Sequence, residues 1–104
     1  MQIQMTFRHM EATEALKAHT NERTERLQKF VDVQAECNWV FFVEADVHVA
    51  DLRIQGPHLD CFAQAKTPDL YQSIDEAVEK MEKQLRKHKE IVKDHLHRNR
   101  TSES

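Results

Sequence analysis

From Gln2 to Phe7, apolar and polar residues alternate: Ile3, Met5 and Phe7 share one side, and Gln2, Gln4 and Thr6 the other. A period of two predicts a half-buried strand. The period then lengthens. Between Glu14 and Val31, the residues Leu16, Thr20, Thr24, Leu27 and Val31 recur at steps of three and four, which predicts a helix. Thr13 is placed to cap it, and Glu14 suits the positive end of its dipole. Thr20 and Thr24 thin the stripe, because Val or Leu there would bury more apolar area. Phe30 is expected to close the helix against the sheet.

Three strands and a second helix follow. Glu36 to Val43 is β-branched and aromatic, the composition of a central strand. In Val47 to Gln55 the alternation slips: Val47 and Val49 have one parity, Leu52 and Ile54 the other, and a bulge near Ala50–Asp51 is the expected repair. Gly56-Pro57-His58 makes a turn around the only glycine. Leu59 to Lys66 alternates again, with Leu59, Cys61, Ala63 and Ala65 on one face, small enough to admit a closely packed helix. Thr67-Pro68-Asp69 reads as a helix start, with Thr67 as cap, Pro68 in the first helical position and Asp69 on the dipole. Leu70, Ile74, Val78, Met81, Leu85, His88, Val92 and Leu96 then keep helical spacing for about 28 residues, or ~42 Å.

The order β-α-β-β-β-α predicts one α+β domain over residues 1–98: a two-layer sandwich, a four-stranded sheet with two helices packed on one face. Strands two to four form a meander. Residues 99–104 are expected to be a disordered tail.

Charge changes the picture. Met1 to Glu79 carries 7 Lys/Arg and 14 Asp/Glu, a net of −7, whereas Lys80 to Arg100 carries 8 and 3, a net of +5. Positive charge gathered on one helix of a mildly acidic chain points to a polyanion. Lys80, Lys83 and Lys87 share one face, Arg86, Lys89 and Lys93 form a second row, and Arg23, Arg26 and Lys29 form a third on helix one. Helices side by side would merge these rows into one basic layer. The bland alternative is a solvated face, since Glu79 and Glu82 stand one turn before Lys83 and Arg86.

Other chemistry is weaker. Seven histidines invite a metal, but no spacing assembles a ligand set and there is no Cys-x-x-Cys, so no metal or cofactor is expected. Asp69 and Asp75 fit capping better than acid–base work. With no Gly-rich phosphate loop or nucleophile arrangement, the chain reads as not an enzyme. His88 reads as a packing residue, and Tyr71 as packing in preference to base stacking. The opening MQIQMTFRHM lacks the apolar stretch of a secretory segment, and no apolar run approaches membrane-spanning length. A cytoplasmic setting with Cys37 and Cys61 reduced is expected. Trp39 and Phe41 cannot share a face with Phe42, so aromatic residues on the open sheet face could mark a partner surface, such as a weak homodimer.

The sequence of helix two carries a resemblance. Asp69-Leu70-Tyr71 is followed by Ser73-Ile74-Asp75, then Lys80-Met81-Glu82-Lys83-Gln84-Leu85 and Lys87-His88-Lys89. With Arg8, Thr13-Glu14-Ala15-Leu16 and Leu27-Gln28-Lys29-Phe30, this resembles the ribosome hibernation factor family, also called ribosome-associated inhibitor or sigma-54 modulation proteins. The likeness covers about residues 1–95. That family reads D-M-Y-x-A-I-D, K-L-x-R-Q-L and K-x-K at these spacings. Here Leu70 replaces Met, Ser73 replaces Ala, and Thr20 and Thr24 replace apolar residues. The resemblance implies binding to rRNA of the small ribosomal subunit, in the channel for tRNA and mRNA, and inhibition of translation in stress or stationary phase. The matched positions are Arg23, Arg26, Lys29, Lys80, Lys83, Arg86 and Lys87, with Lys89 beside them. Without the dimerisation domain of longer members, the chain is similar to short forms, some of which act with a second hibernation factor. The alternatives are a double-stranded-RNA-binding module or a protein-interaction module that modulates transcription through the open sheet.

Overall fold

Strand β1 (Gln2–Phe7) lies parallel to β2 (Glu36–Glu44), and helix α1 (Glu14–Glu25) with a 3-10 turn (Gln28–Phe30) makes the crossover between them. Strands β3 (Val47–Gly56) and β4 (Leu59–Thr67) continue antiparallel, so the sheet order is β1-β2-β3-β4, and helix α2 (Leu70–Glu103) follows. This computed structural model describes the backbone of residues 1–103 and the side chains of residues 1–89. The element order is the expected one, and strands two to four are the expected meander. The side chains of Lys93, Val92 and Leu96, and the tail foreseen at 99–104, lie outside the residues whose side chains are described.

Alternation decides which residues face the helices. Cys37, Trp39 and Phe41 on β2 stand in register with Ile54, Leu52 and Ala50 on β3, and these with Cys61, Ala63 and Ala65 on β4. All but the half-buried Cys61 are buried, in one cluster with Leu27, Leu70, Ile74, Val78, Met81 and Leu85. The two-layer sandwich follows, with both helices on that face. No bulge interrupts β3: pairing runs one-to-one through Val40↔Asp51, Phe41↔Ala50 and Phe42↔Val49. The slip in pattern arises because Val49 is fully buried on the open face, between Phe42 and Lys66 in register.

Helix α1 starts as expected, with Thr13 Oγ1 accepting the Leu16 N–H at 3.2 Å. It stops at Glu25 instead of continuing to Val31, because the chain tightens into the 3-10 turn after Leu27, which is completely buried. Helix α2 begins at Leu70, so Asp69 is its cap in place of Thr67: Asp69 Oδ1 accepts the Tyr71 N–H at 3.1 Å. Thr67 closes β4, and its hydroxyl accepts the Asp69 N–H at 3.1 Å. Ser73 is fully buried and satisfied, since its hydroxyl donates to the His48 carbonyl at 2.7 Å and ties the first turn of α2 to β3. Two tight turns rest on left-handed residues other than glycine, Ala45 (φ 55°) and His58 (φ 60°).

Candidate nucleic-acid interface

The basic residues divide into two groups. Residues of α2 that follow one another at steps of three and four flank its buried stripe on either side. On the side toward α1, three cations surround one aromatic ring. Lys29 Nζ lies 5.2 Å, Arg86 Cζ 5.7 Å and Lys89 Nζ 6.0 Å from the centre of Phe30. Phe30 packs its other contacts against the core, so the ring is a fixed platform on which cations from two elements converge. Arg26 joins this group through Glu82, whose Oε2 lies 3.5 Å from Arg26 Nη2 and 3.7 Å from Arg86 Nη2.

On the other flank, Lys80 turns away from this cluster. Its Nζ donates to the Gln64 carbonyl at 2.8 Å, and Gln84 Nε2 donates to the Phe62 carbonyl at 2.7 Å. Both bonds cover backbone acceptors on the outer side of the edge strand β4, which protects that edge from pairing with another chain. Lys83 and Lys87 are exposed beside it. Of the eight cations singled out from sequence, Arg26, Lys29, Arg86 and Lys89 are therefore brought together. Lys80, Lys83 and Lys87 form a separate outer row. Arg23 is half-buried near the start of the seam, 3.1 Å from Asp75 Oδ1 at an angle that leaves its Nε without a hydrogen bond.

Acidic residues at this seam carry a role that charge counting missed. Asp75 Oδ1 accepts from His19 Nε2 at 2.7 Å while facing Arg23, and Glu82 bridges Arg26 to Arg86. Two carboxylates of α2 thus latch α1 onto it and also spread the guanidinium groups along the seam. The i, i+4 spacing of Glu82 and Arg86 was visible in sequence; the partners on α1 required the packing of the two helices. Tyr71 meets His19 edge-to-face at 5.0 Å, which fits the packing role expected for it.

Elsewhere the chemistry is quiet. Among the described residues no group of His, Cys, Asp and Glu is placed to hold a metal, and no helix is long and apolar enough to cross a membrane. Burial pushes the Cys37 thiol up to about 12, so it stays neutral at ordinary pH. On the open sheet face, Phe62 is 51% exposed, but ion pairs and hydrogen bonds interrupt the apolar surface. Arg53 grips Asp60 through two bonds of 3.0 and 2.8 Å, which holds the Asp60 carboxyl below its usual range. Gln64 donates to Asp51 at 2.6 Å.

A sequence model of the sigma 54 modulation protein / S30EA ribosomal protein family matches residues 3–93. The chain belongs to this family. Among curated relatives, a ribosome hibernation promoting factor of Escherichia coli is 30% identical over 95 residues, covering 91% of this chain and all of that protein. One of Pseudomonas putida is 29% identical over 90 residues, covering 86% and 88%. Among solved structures, a ribosomal subunit interface protein from Coxiella burnetii superposes with a TM-score of 0.74 at 26% identity, covering 86% of this chain and 98% of that one. The N-terminal domain of Thermus thermophilus Protein Y superposes with a TM-score of 0.77 at 24% identity, covering 85% and 99%, a likeness of fold.

Proposed function

We propose that this chain is a ribosome hibernation factor that acts by occupancy. The observation that carries the reading is the convergence of Lys29, Arg86 and Lys89 on Phe30 in a chain whose net charge is −3. Lys29 is the chain neighbour of Phe30, and Arg86 and Lys89 reach the same ring from α2. In this reading the helical layer docks on rRNA of the small ribosomal subunit, in the channel used by tRNA and mRNA, and inhibits translation in stress or stationary phase. Arg23, Arg26, Lys29, Lys80, Lys83, Arg86, Lys87 and Lys89 supply the contacts, the Phe30 cluster centrally and the Lys80 row at the margin. Family membership and relatives named as hibernation factors support it.

The physics suits such a target. Cations on rigid helices neutralise phosphates and release counterions, and structured RNA is recognised largely by shape and phosphate spacing. Arginine can grip a phosphate with two parallel bonds, whereas lysine acts as a point charge. The acidic remainder repels RNA that approaches from other sides. The proposed setting is the cytoplasm, with a second hibernation factor as a further partner. A weak homodimer through the open sheet would centre on Phe62.

Equilibrium binding to purified small subunits tests the site. The double substitution Arg86→Glu and Lys89→Glu should abolish binding at moderate salt while leaving the fold intact. Each lost phosphate contact should flatten the logarithmic salt dependence by about 0.7–0.9. Unchanged affinity and slope would remove the cluster from the interface.

A further inference from the structure

At the far end of α2 from the cation cluster, a groove of about 530 Å³ opens between the β1–α1 connection, the end of the β2–β3 hairpin and the start of α2. Leu70 and Arg86 are separated by ~24 Å of helix at 1.5 Å per residue, so the two sites are distinct. Met10, Val43, Leu70 and Tyr71 give the groove an apolar lining, and Glu11 and Asp69 flank it. Of the four large hydrophobic residues exposed among the described residues, two are here: Val43 at 49% and Tyr71 at 38%. No Lys or Arg lines the groove, and its one histidine, His48, is held by the Pro68 carbonyl at 3.1 Å.

We propose that this groove docks an extended protein segment in which an aliphatic or aromatic side chain sits beside a Lys or Arg. The apolar lining gains by covering Val43 and Tyr71. The two carboxylates select the neighbouring charge. A wholly apolar segment would desolvate Glu11 and Asp69 with no counter-charge, Asp69 keeping only its cap bond to the Tyr71 N–H, and an RNA strand would bring phosphates against them. Charge complementarity therefore favours a basic protein segment over both. The groove does not depend on the RNA reading, because it shares no residue with the cation cluster.

Amide chemical shifts of the 104-residue chain, titrated with a short peptide of alternating Lys and Leu, test this directly. Saturable shifts should concentrate at Glu11, Val43, Leu70 and Tyr71. A Lys-Ser peptide should bind about tenfold or more weakly, the loss expected for one buried aliphatic side chain, and a Glu-Leu peptide should not bind. Val43→Lys, at an exposed position that leaves the core untouched, should weaken the Lys-Leu peptide by a similar factor. Equal binding of the Lys-Ser peptide would reduce the groove to nonspecific charge and overturn the proposal, as would shifts spread over the whole surface or none at millimolar peptide. Groove shifts that grow with protein concentration alone would assign the site to a second copy of the chain, which also overturns it.

Discussion

The indole N–H of Trp39 donates to Thr24 Oγ1 at 3.1 Å, inside a core where both residues are essentially inaccessible. Thr24 in turn donates to the Thr20 carbonyl one turn back. A threonine at a core position of α1 is thus the acceptor that a buried tryptophan needs. Thr24→Val keeps the shape and strands the indole donor. It should destabilise the protein by about 1–3 kcal/mol in urea unfolding. Thr24→Ser retains the acceptor and should cost less. A stable Val variant would show that the indole has another partner.

Phe30 should matter to binding more than to folding. Phe30→Leu preserves apolar packing but removes the ring, and each exposed cation–π contact is worth about 0.5–1 kcal/mol. Small-subunit affinity should fall about fivefold, with Phe30→Tyr close to wild type. Tighter binding by the Leu variant would mean that the ring competes with phosphate for Lys29, Arg86 and Lys89.

Glu82 restrains two guanidinium groups. Glu82→Gln should raise small-subunit affinity about two- to fivefold at low salt, as Arg26 and Arg86 lose their counter-charge. The stability change should stay within about 1 kcal/mol, the range of exposed ion pairs. A loss of affinity would show that Glu82 positions the arginines in the way binding requires.

Cys37 makes stability fall at alkaline pH. Burial raises its folded value from 9.0 to about 12. The thiol therefore keeps its proton in the folded state while the unfolded thiol ionises, and the folded state binds more protons. This contribution is fully present below pH 9 and is lost as pH rises toward 12. The slope should approach about 1.4 kcal/mol per pH unit. Cys37→Ala should lower stability at neutral pH and remove that component of the slope. An identical alkaline profile in the variant would contradict this.

Element order, the buried stripes of the helices and the alternation of β1 and β4 were legible in the sequence, because periods of two and three-to-four read directly as strand and helix; which set of β2 faces the helices was left open. Three features were not. Val49 breaks the alternation because cross-strand neighbours bury it on the open face, with no bulge needed. The end of α1 depends on Leu27 reaching the core. The basic layer divides because Lys80 finds a carbonyl on β4 and because Asp75 and Glu82 pair with His19 and Arg26, 56 positions earlier in the chain. Charge rows on a helical wheel show which residues share a face. They do not show which of those residues already have partners.

The most direct measurement is sedimentation of the full chain with purified small subunits and intact ribosomes, at low and moderate salt, with and without tRNA. The account predicts co-sedimentation at low salt, loss as salt rises, and displacement by tRNA. Failure to co-sediment at low salt, or binding that saturating tRNA leaves unchanged, would contradict it.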